Sequence, residues 1–369
     1  MIFDISDSEF KDIFRDEDFY LPIRWDGVNF SSTLGALLDR YENKLNKVIS
    51  SKVIVNKQLA ILQRNVHKIC GHLANSIDHY LNGFPSTSYS FFRRAMDILV
   101  QVSLDSCLKN ADDKDEDLEL FRAVSVEDNK PYERERVFHT PYTLRSKVTT
   151  SRYSIAGYPS LYLGTSLELC CEEIHRNPYS NYTLASMFKL DETVEYTNTH
   201  IKIIELGIKP QDFDENYYEN NNVNRERHRL LPGKALETQE VRYAYLYWYP
   251  LIAACSYIRI NKKDPFASEY IIPQLLMQWA RDEIRAQTKD DLDRLVGIRY
   301  FSCASVKSSD MGLNYVFPTN SKKIRSDKYC SILSKTFRAT LPVFIHEFYS
   351  VAACEEYIKN SNDYDYIIK

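Results

Sequence analysis

Three residue types that can hold and transform a charged ligand follow one another along a short stretch of the chain. The segment SRYSIAGYPSLYLGTSLELCCEEI covers residues 151–174 and contains Arg152, Tyr162 and Glu173. An arginine presents a fork of donors to an anion, and a tyrosine ring offers its face to a flat ligand. A carboxylate stabilises developing positive charge or orients a nucleophile. These side chains can act together only if the local structure turns them toward one cleft.

The segment itself predicts a turn, a short buried strand and a helix. Gly157 and Pro159 are typical of a turn, and the apolar residues 161–164 of a buried strand. Thr165 and Glu168 fit a capping box, so a helix is predicted to begin there. The expected strand–helix unit would therefore present Tyr162 and Glu173 from two adjacent elements.

Two adjacent glutamates of the predicted helix lie at different angles from its apolar face. On a helical wheel, Glu173 lies roughly 110° from the centre of that face and Glu172 roughly 150°. Glu173 is thus at the margin of the buried stripe and can reach a cleft, whereas Glu172 points more to solvent. The apolar face has the spacing i, i+3, i+4, i+7 and consists of Leu167, Cys170, Cys171 and Ile174.

A small hydroxyl ends an apolar row in a later predicted strand, GIRYFSCAS, at residues 297–305. The two-residue period of a strand places Ile298, Tyr300 and Ser302 on one face. If that face is buried, Ser302 is a polar group at the end of the row.

Together these pieces resemble the RES domain, a family named for a recurrent arginine, glutamate and serine. The resemblance covers about residues 118–310, and the helical part before it resembles the extension of longer RES-domain proteins. Five pieces in the family's order carry it: LFRA with Arg122, RYSIAGYPSLYLG with Arg152 and Tyr162, Glu173 eleven residues after that tyrosine, FASEYIIPQLLMQW (266–279), and GIRYFS with Ser302.

The resemblance implies a fold similar to that of ADP-ribosyltransferases and an activity on NAD. Compact RES proteins are toxins of bacterial toxin–antitoxin pairs that cleave the nicotinamide–ribose bond by hydrolysis or phosphorolysis. The resemblance thus implies NAD as substrate, no prosthetic group, and a helix-turn-helix antitoxin that plugs the NAD cleft.

The resemblance also gives roles to individual residues. Cleavage develops an oxocarbenium-like ribose, which a carboxylate at Glu173 would stabilise. Ser302 would hydrogen-bond the ribose or a phosphate. The predicted catalytic residues are Glu173, Ser302 and Arg122, and the predicted substrate-binding residues are Arg152, Tyr162 and Arg145. Arg122 and Arg152 are both candidates for binding the diphosphate, and Tyr162 is predicted to face the nicotinamide.

Two departures from the family pattern concern the first arginine. The family often has a bulky or aromatic residue after it, whereas Ala123 follows Arg122 here. The segment between Arg122 and Arg152 is also long and contains RVFHTPYTLR. Arg145, within that segment, is therefore an alternative to Arg122.

No metal site is predicted. His67, Cys70, His72 and His79 lie in one helical segment, but no second ligand pair with zinc-type spacing follows them. Neither GxGxxG nor GK[ST] occurs, so no glycine-rich phosphate loop is predicted.

The composition is that of a folded cytoplasmic protein. The 369 residues are 44% hydrophobic and 27% charged, with a net charge of −4, which gives no support for a nucleic-acid partner. The eight cysteines lack CxxC spacing and are predicted to be reduced thiols. The first residues do not resemble a signal peptide, and the apolar segment 243–260 is too short to span a membrane comfortably, so it is predicted to be buried core.

The chain is predicted to belong to the α+β class, with three parts. Helical periodicity dominates the N-terminal part, and the acidic stretch 111–119 is the predicted boundary before strand patterns begin. We expect an ADP-ribosyltransferase-like RES domain with small twisted mixed β-sheets, preceded by an all-helical N-terminal domain. The predicted parts are residues 1–110, the RES domain at 118–310, and a C-terminal extension at 311–369 packed on it.

Two other functions remain open from the sequence. One is an ADP-ribosyltransferase that modifies a macromolecule. The other is a non-catalytic regulatory protein with a RES fold, in which the helical domain mediates assembly, for example as a homo-oligomer. The presence of Arg152, Tyr162, Glu173 and Ser302 speaks against a decayed site.

Overall fold

The chain divides into two units, each built from separated segments. The first unit comprises residues 1–104 and 208–279, and the second residues 105–207 and 280–369. The computed structural model describes residues 5–52, 56–102, 119–174, 177–179, 182–191, 201–214, 217, 238–286, 295–320 and 327–368.

The first unit is helical, and its helices begin where side chains cap them. Ser6 and Glu9 form a capping box, and the side chains of Asn29 and Asn56 each accept from the backbone N–H of the residue three positions later. The described helices are α1 (Asp7–Phe14), α2 (Phe30–Ser50), α3 (Lys57–Leu81), α4 (Pro85–Leu99), α5 (Leu167–Ile174), α6 (Gln239–Ala254), α7 (Ile271–Ala286), α8 (Ser331–Thr336) and α9 (Val351–Lys359). Of these, α5, α8 and α9 lie in the second unit, and the boundary between the units falls within α7, after Trp279.

The tyrosine-rich segment 243–260 forms the centre of the first unit, as predicted for buried core. Residues 244–254 of α6 are buried, and Pro250 lies inside the helix rather than breaking it. The Tyr41 hydroxyl donates to the carbonyl of Leu246 over 2.6 Å, which satisfies a buried polar group within the aromatic core. Among the described residues, no helix is long and apolar enough to cross a membrane.

The second unit contains one mixed sheet, so the protein is α+β as predicted. The described strands join a single nine-stranded sheet rather than several small ones, in the order β4-β5-β6-β2-β1-β3-β7-β9, with β8 beside β3. Only the pair of β4 and β5 is parallel among the described strand pairs. The strands are β1 (Leu120–Ser125), β2 (Ser160–Gly164), β3 (Thr183–Leu190), β4 (Ile201–Leu206), β5 (Leu295–Phe301), β6 (Leu313–Pro318), β7 (Phe337–Thr340), β8 (Val343–Phe344) and β9 (Tyr364–Tyr366).

The register of three central strands brings distant residues together. Asn314 of β6 lies opposite Gly164 of β2 and opposite Tyr300 of β5, so all three face the same side of the sheet. Helix α5 covers this side at Gly164, where an added Cβ would lie 2.8 Å from the Cys170 sulfur. Only glycine allows such a close approach of helix and strand.

These boundaries differ from those predicted by the sequence. Residues 208–279 belong to the helical first unit, although they lie inside the predicted domain at 118–310. Strand β6 lies between β2 and β5 in the sheet, so residues after 311 are part of the sheet rather than an extension packed on it. The acidic stretch 111–119 lies, apart from Glu119, outside the described residues.

Candidate active site

Helix α5 presents the two glutamates as the helical wheel predicts. Leu167, Cys170 and Cys171 are buried in a core cluster that includes Phe121 of β1. Glu173 is half-buried at the edge of this face, whereas Glu172 is exposed. Glu173 therefore extends over the sheet from an anchored helix.

The start of α5 is capped differently from the prediction. The Thr165 hydroxyl accepts from the backbone of Leu313 over 2.9 Å, so it is not part of a capping box. Instead, Ser166 Oγ accepts from the Leu169 N–H over 3.2 Å. The Glu355 carboxylate of α9 accepts from the Leu167 N–H over 2.8 Å. A residue almost two hundred positions away thus completes the helix end, a partner that local sequence patterns cannot indicate.

Asn314 fixes the Glu173 carboxylate. Its Nδ2 donates to Glu173 Oε1 over 2.7 Å. Asn314 is only 4% exposed, and its neighbours across the sheet limit the positions that its side chain can adopt. Among the described residues, Glu173 Oε2 has no hydrogen-bond partner, so this oxygen is available to a ligand.

Tyr300 is a common neighbour of Glu173, Tyr162 and Arg152. Burial raises the pKa of the Tyr300 hydroxyl well above its ordinary value, and the nearby Glu173 and Tyr162 raise it further, while Arg152 acts in the opposite direction. The hydroxyl is therefore neutral at physiological pH and can donate a hydrogen bond. Arg152, Tyr162 and Glu173 are thus all close enough to Tyr300 to act on the charge of its hydroxyl.

Hydrogen bonds hold the Tyr162 ring in place. Its hydroxyl donates to the Tyr153 carbonyl and shares a 2.6 Å hydrogen bond with the Ser151 hydroxyl. The Tyr153 ring in turn lies 4.5 Å from the Tyr300 ring, centroid to centroid. Arg152, between these residues in sequence, is 9% exposed. The loop at 151–154 and strand β2 thus form one wall of the candidate site.

Arg122 contacts the backbone of the site strand. Its flanking residues Phe121 and Ala123 face the core under α5, so the Arg122 side chain begins on the other face of β1. Its Nη1 donates to the Tyr162 carbonyl over 2.7 Å, and its buried Nε has no hydrogen-bond partner among the described residues. Burial lowers the pKa of Arg122 to about 10, so it stays charged at neutral pH.

Ser302 is enclosed in a cluster of serines. It is fully buried, and its hydroxyl donates to Ser308 Oγ over 2.9 Å while accepting from the Ala304 N–H over 3.2 Å. Ser305 also contacts Ser308 through both backbone and side chain. This network stabilises the turn after β5, and the predicted contact of Ser302 with a ligand stays a prediction.

Arg145 lies over two aromatic rings. Its guanidinium carbon is 5.3 Å from the centroid of the Tyr142 ring and 5.7 Å from that of Tyr158. Tyr158 precedes β2, so Arg145 lies toward the end of β2 that is remote from Gly164.

Sequence reasoning missed Asn314 and the site role of Tyr300. The signal for Asn314 was its occurrence inside the otherwise apolar strand LNYVFP, because asparagine is depleted in strands. Tyr300 was placed on the correct face by the strand period, but nothing in the sequence indicated that Glu173 and Tyr162 would surround it.

No group of three or more histidine, cysteine, aspartate or glutamate side chains is placed to hold a metal ion in the described part of the chain. His67 instead contacts Glu42, with 2.8 Å between Nδ1 and Oε2.

Comparison with known proteins relates most of the chain to one bacterial protein. The chain is 28% identical over 338 residues to the Bacillus subtilis (strain 168) protein named "Putative toxin YopC". The match covers 89% of this chain and 69% of that protein. No family model matches the chain, and no solved structure matches it.

Proposed function

We propose that this protein is an NAD-consuming enzyme that cleaves the nicotinamide–ribose bond and acts as a bacterial toxin. The observation that carries the proposal is the Glu173 carboxylate, which Asn314 holds and which acts, together with Tyr162 and Arg152, on the charge of the Tyr300 hydroxyl. A carboxylate fixed from one side and open on the other suits a reaction that develops positive charge on a ribose.

In the proposed reaction, the chain supplies charge and orientation. Glu173 Oε2 faces the ribose, where it stabilises the oxocarbenium-like state or holds a hydroxyl. The neutral Tyr300 hydroxyl donates a hydrogen bond to the same sugar, and the Tyr162 ring supports the nicotinamide. Arg152 provides the positive charge for the diphosphate.

The proposed part of Arg122 is indirect. Its hydrogen bond to the Tyr162 carbonyl fixes the strand that carries the ring. Its Nε–H, which has no hydrogen-bond partner among the described residues, is a further donor on this side chain. Ser302 supports the same site through the turn that ends β5.

The toxin role draws on the name of the Bacillus subtilis relative and on the resemblance to RES domains. The proposal includes an ADP-ribosyltransferase-like fold for the second unit, action on the cytoplasmic NAD pool, and a helix-turn-helix antitoxin that covers the cleft. It includes no prosthetic group.

The test is incubation of the purified protein with NAD, with and without inorganic phosphate, followed by chromatography. Free nicotinamide with ADP-ribose indicates hydrolysis, and ADP-ribose 1-phosphate formed only with phosphate indicates phosphorolysis. Radiolabel from NAD attached to an added protein or nucleic acid would identify an ADP-ribosyltransferase instead. Unchanged NAD in every reaction would contradict the proposal and favour a regulatory protein.

A further inference from the structure

A pair of arginines outside the Glu173 cluster lies around one tyrosine ring. The guanidinium carbons of Arg281 and Arg145 are 4.8 Å and 5.7 Å from the centroid of the Tyr158 ring. Arg281 is near the end of α7, and Arg145 belongs to a short 3-10 segment, Tyr142–Lys147. Both residues are in the second unit. We call Arg145 and Arg281 the outer arginine pair, and Tyr158 is the ring between which and each arginine these distances are measured.

The positive charges of this pair lack a carboxylate partner in the described part of the chain. Arg281 donates from Nη1 to the Thr319 carbonyl over 2.6 Å, a bond to a neutral group. The Tyr158 hydroxyl donates to the same carbonyl over 3.0 Å. Two guanidinium groups beside one ring are like charges, and an anion that contacts them offsets their repulsion.

A polar group next to the pair is also without a partner. Tyr142 is 5% exposed, and its buried hydroxyl lies beside Thr319 without a hydrogen bond of good geometry among the described residues. Its ring lies under Arg145. A hydroxyl donor and two forked cations, all held by rings and a rigid carbonyl, form a set of donors for phosphate oxygens.

The tyrosine between the two arginines, Tyr158, precedes the strand that carries the candidate site, β2. Tyr158 is six residues before Gly164, which is opposite Asn314, so at most about 20 Å of chain separates the pair from that point. Tyr162, which faces the same site, is between them. A nucleotide with its reactive ribose at Glu173 would extend its phosphates along β2 toward Tyr158.

We infer that the outer arginine pair is a binding site for a phosphate group. The phosphate group belongs to the diphosphate of the dinucleotide substrate, and in this respect the inference rests on the proposed function. Free inorganic phosphate has the same chemistry and is distinguished by the experiment. Arg281 is thereby assigned to ligand binding. Arg145 binds the phosphate group together with Arg281 and does not take the place of Arg122.

Calorimetric titration tests the site without requiring turnover. ADP-ribose, inorganic pyrophosphate, inorganic phosphate and adenosine are titrated into the wild-type protein, Arg145→Gln, Arg281→Gln and the double variant. Each single change is expected to weaken ADP-ribose and pyrophosphate binding about 10-fold and the double change about 100-fold, because each removes a charged hydrogen-bond donor. Lys147→Gln, which removes an exposed charge from the same segment, is the matched control and should change affinity less than about 2-fold.

The probes separate this inference from the proposed function. ADP-ribose affinity that is equal in the wild-type and double-variant proteins overturns the inference and leaves the proposed function standing. Pyrophosphate or phosphate binding that depends on both arginines, without any ADP-ribose binding, supports the anion site and contradicts NAD as its source. Failure of wild-type protein to bind any phosphate-bearing probe also overturns the inference.

Lysine variants test the site if a glutamine variant does not fold. If thermal melting shows that Arg281→Gln is unfolded, Arg145→Lys and Arg281→Lys keep the charge but lose the fork. They should weaken ADP-ribose binding less than the glutamine variants do. Wild-type affinity in the folded double lysine variant would contradict recognition of the phosphate group through the guanidinium forks.

Discussion

At the residue scale, one hydrogen bond distinguishes the two adjacent glutamates of α5. The buried Asn314 donates from Nδ2 to Oε1 of Glu173 over 2.7 Å. Glu172, in contrast, is exposed. A buried donor that is itself fixed by two neighbouring strands restricts the carboxylate to one orientation. Catalysis by charge stabilisation depends on such pre-set geometry.

Replacing this donor by an acid is expected to change the pH dependence of the reaction. In Asn314→Asp, two carboxyl groups of nearly unchanged shape face each other and share a proton at neutral pH. The acid limb of the pH–rate profile for NAD cleavage should move up by about 1–2 pH units, with activity recovering at alkaline pH. Asn360→Asp, an exposed change on the surface of the second unit, is the control.

A profile for Asn314→Asp that superimposes on the wild-type profile would show that Asn314 does not act through the Glu173 carboxylate. Loss of activity at every pH, in a protein that melts normally, would assign Asn314 to direct ligand binding.

The sequence predicted Glu173 correctly as the glutamate at the helix margin because helical periodicity is a local property. Residues 167–174 alone determine which side chains face the core, so the wheel distinguished Glu173 from Glu172. The contact of Glu173 with Asn314 depends on the pairing of β2 with β6, about 150 positions apart in the chain. Whether these residues act on a substrate stays a prediction.

At the element scale, α5 depends on a helix from the end of the chain. Glu355 of α9 accepts from the first N–H of α5, and its charge is favourable at a helix N-terminus. The predicted capping box at Thr165 did not form because the hydroxyl and the backbone N–H of Thr165 are both bonded to the backbone of Leu313. The backbone donor at this end of the helix is already satisfied by a residue whose proximity only the fold creates.

Removal of this cap should loosen the site helix. Glu355→Ala is expected to lower the free energy of unfolding by about 1 kcal/mol, as for other helix caps, and to lower kcat for NAD more than it raises KM. Thermal melting and steady-state kinetics measure the two effects. Glu356→Ala changes the exposed neighbour on the same helix and should leave both quantities near wild type. Equal effects of the two substitutions would contradict a specific capping role for Glu355.

At the scale of the whole molecule, the order of the segments could not be predicted from local patterns. Helical and strand periodicity identified the α+β class and the strands predicted at 161–164 and 297–305. The return of residues 208–279 to the helical unit depends on which apolar surfaces pack together, and periodicity reports only that such surfaces exist. Strand β6 was assigned to a C-terminal extension for the same reason, although it lies at the centre of the sheet.

A buried histidine is expected to make the stability of the second unit depend on pH. His139 is 1% exposed, and its Nε2 accepts from the Cys330 N–H over 2.9 Å. Burial lowers the pKa of His139 from 6.5 to about 4. The unfolded chain therefore binds a proton below pH 6.5 that the folded protein does not, so stability falls as the pH drops from 6.5 to 4. The loss from this group is about 3 kcal/mol.

Urea unfolding of the wild-type protein and His139→Gln at a series of pH values measures this contribution. The variant has lower stability at pH 7 because the fit of the ring is lost, but its stability should fall less between pH 6.5 and 4. Parallel pH dependences of the two proteins would show that His139 does not contribute.

The central claim is that the Glu173 carboxylate drives cleavage of the nicotinamide–ribose bond. It is tested most directly by comparing Glu173→Gln with Glu172→Gln for NAD turnover, with folding checked by thermal melting. Glu173→Gln should still bind NAD, while its turnover falls about 10²–10⁴-fold, and Glu172→Gln should be nearly neutral. Wild-type turnover by a folded Glu173→Gln protein would contradict the account, and an inactive Glu172→Gln beside it would assign the reaction to the other glutamate.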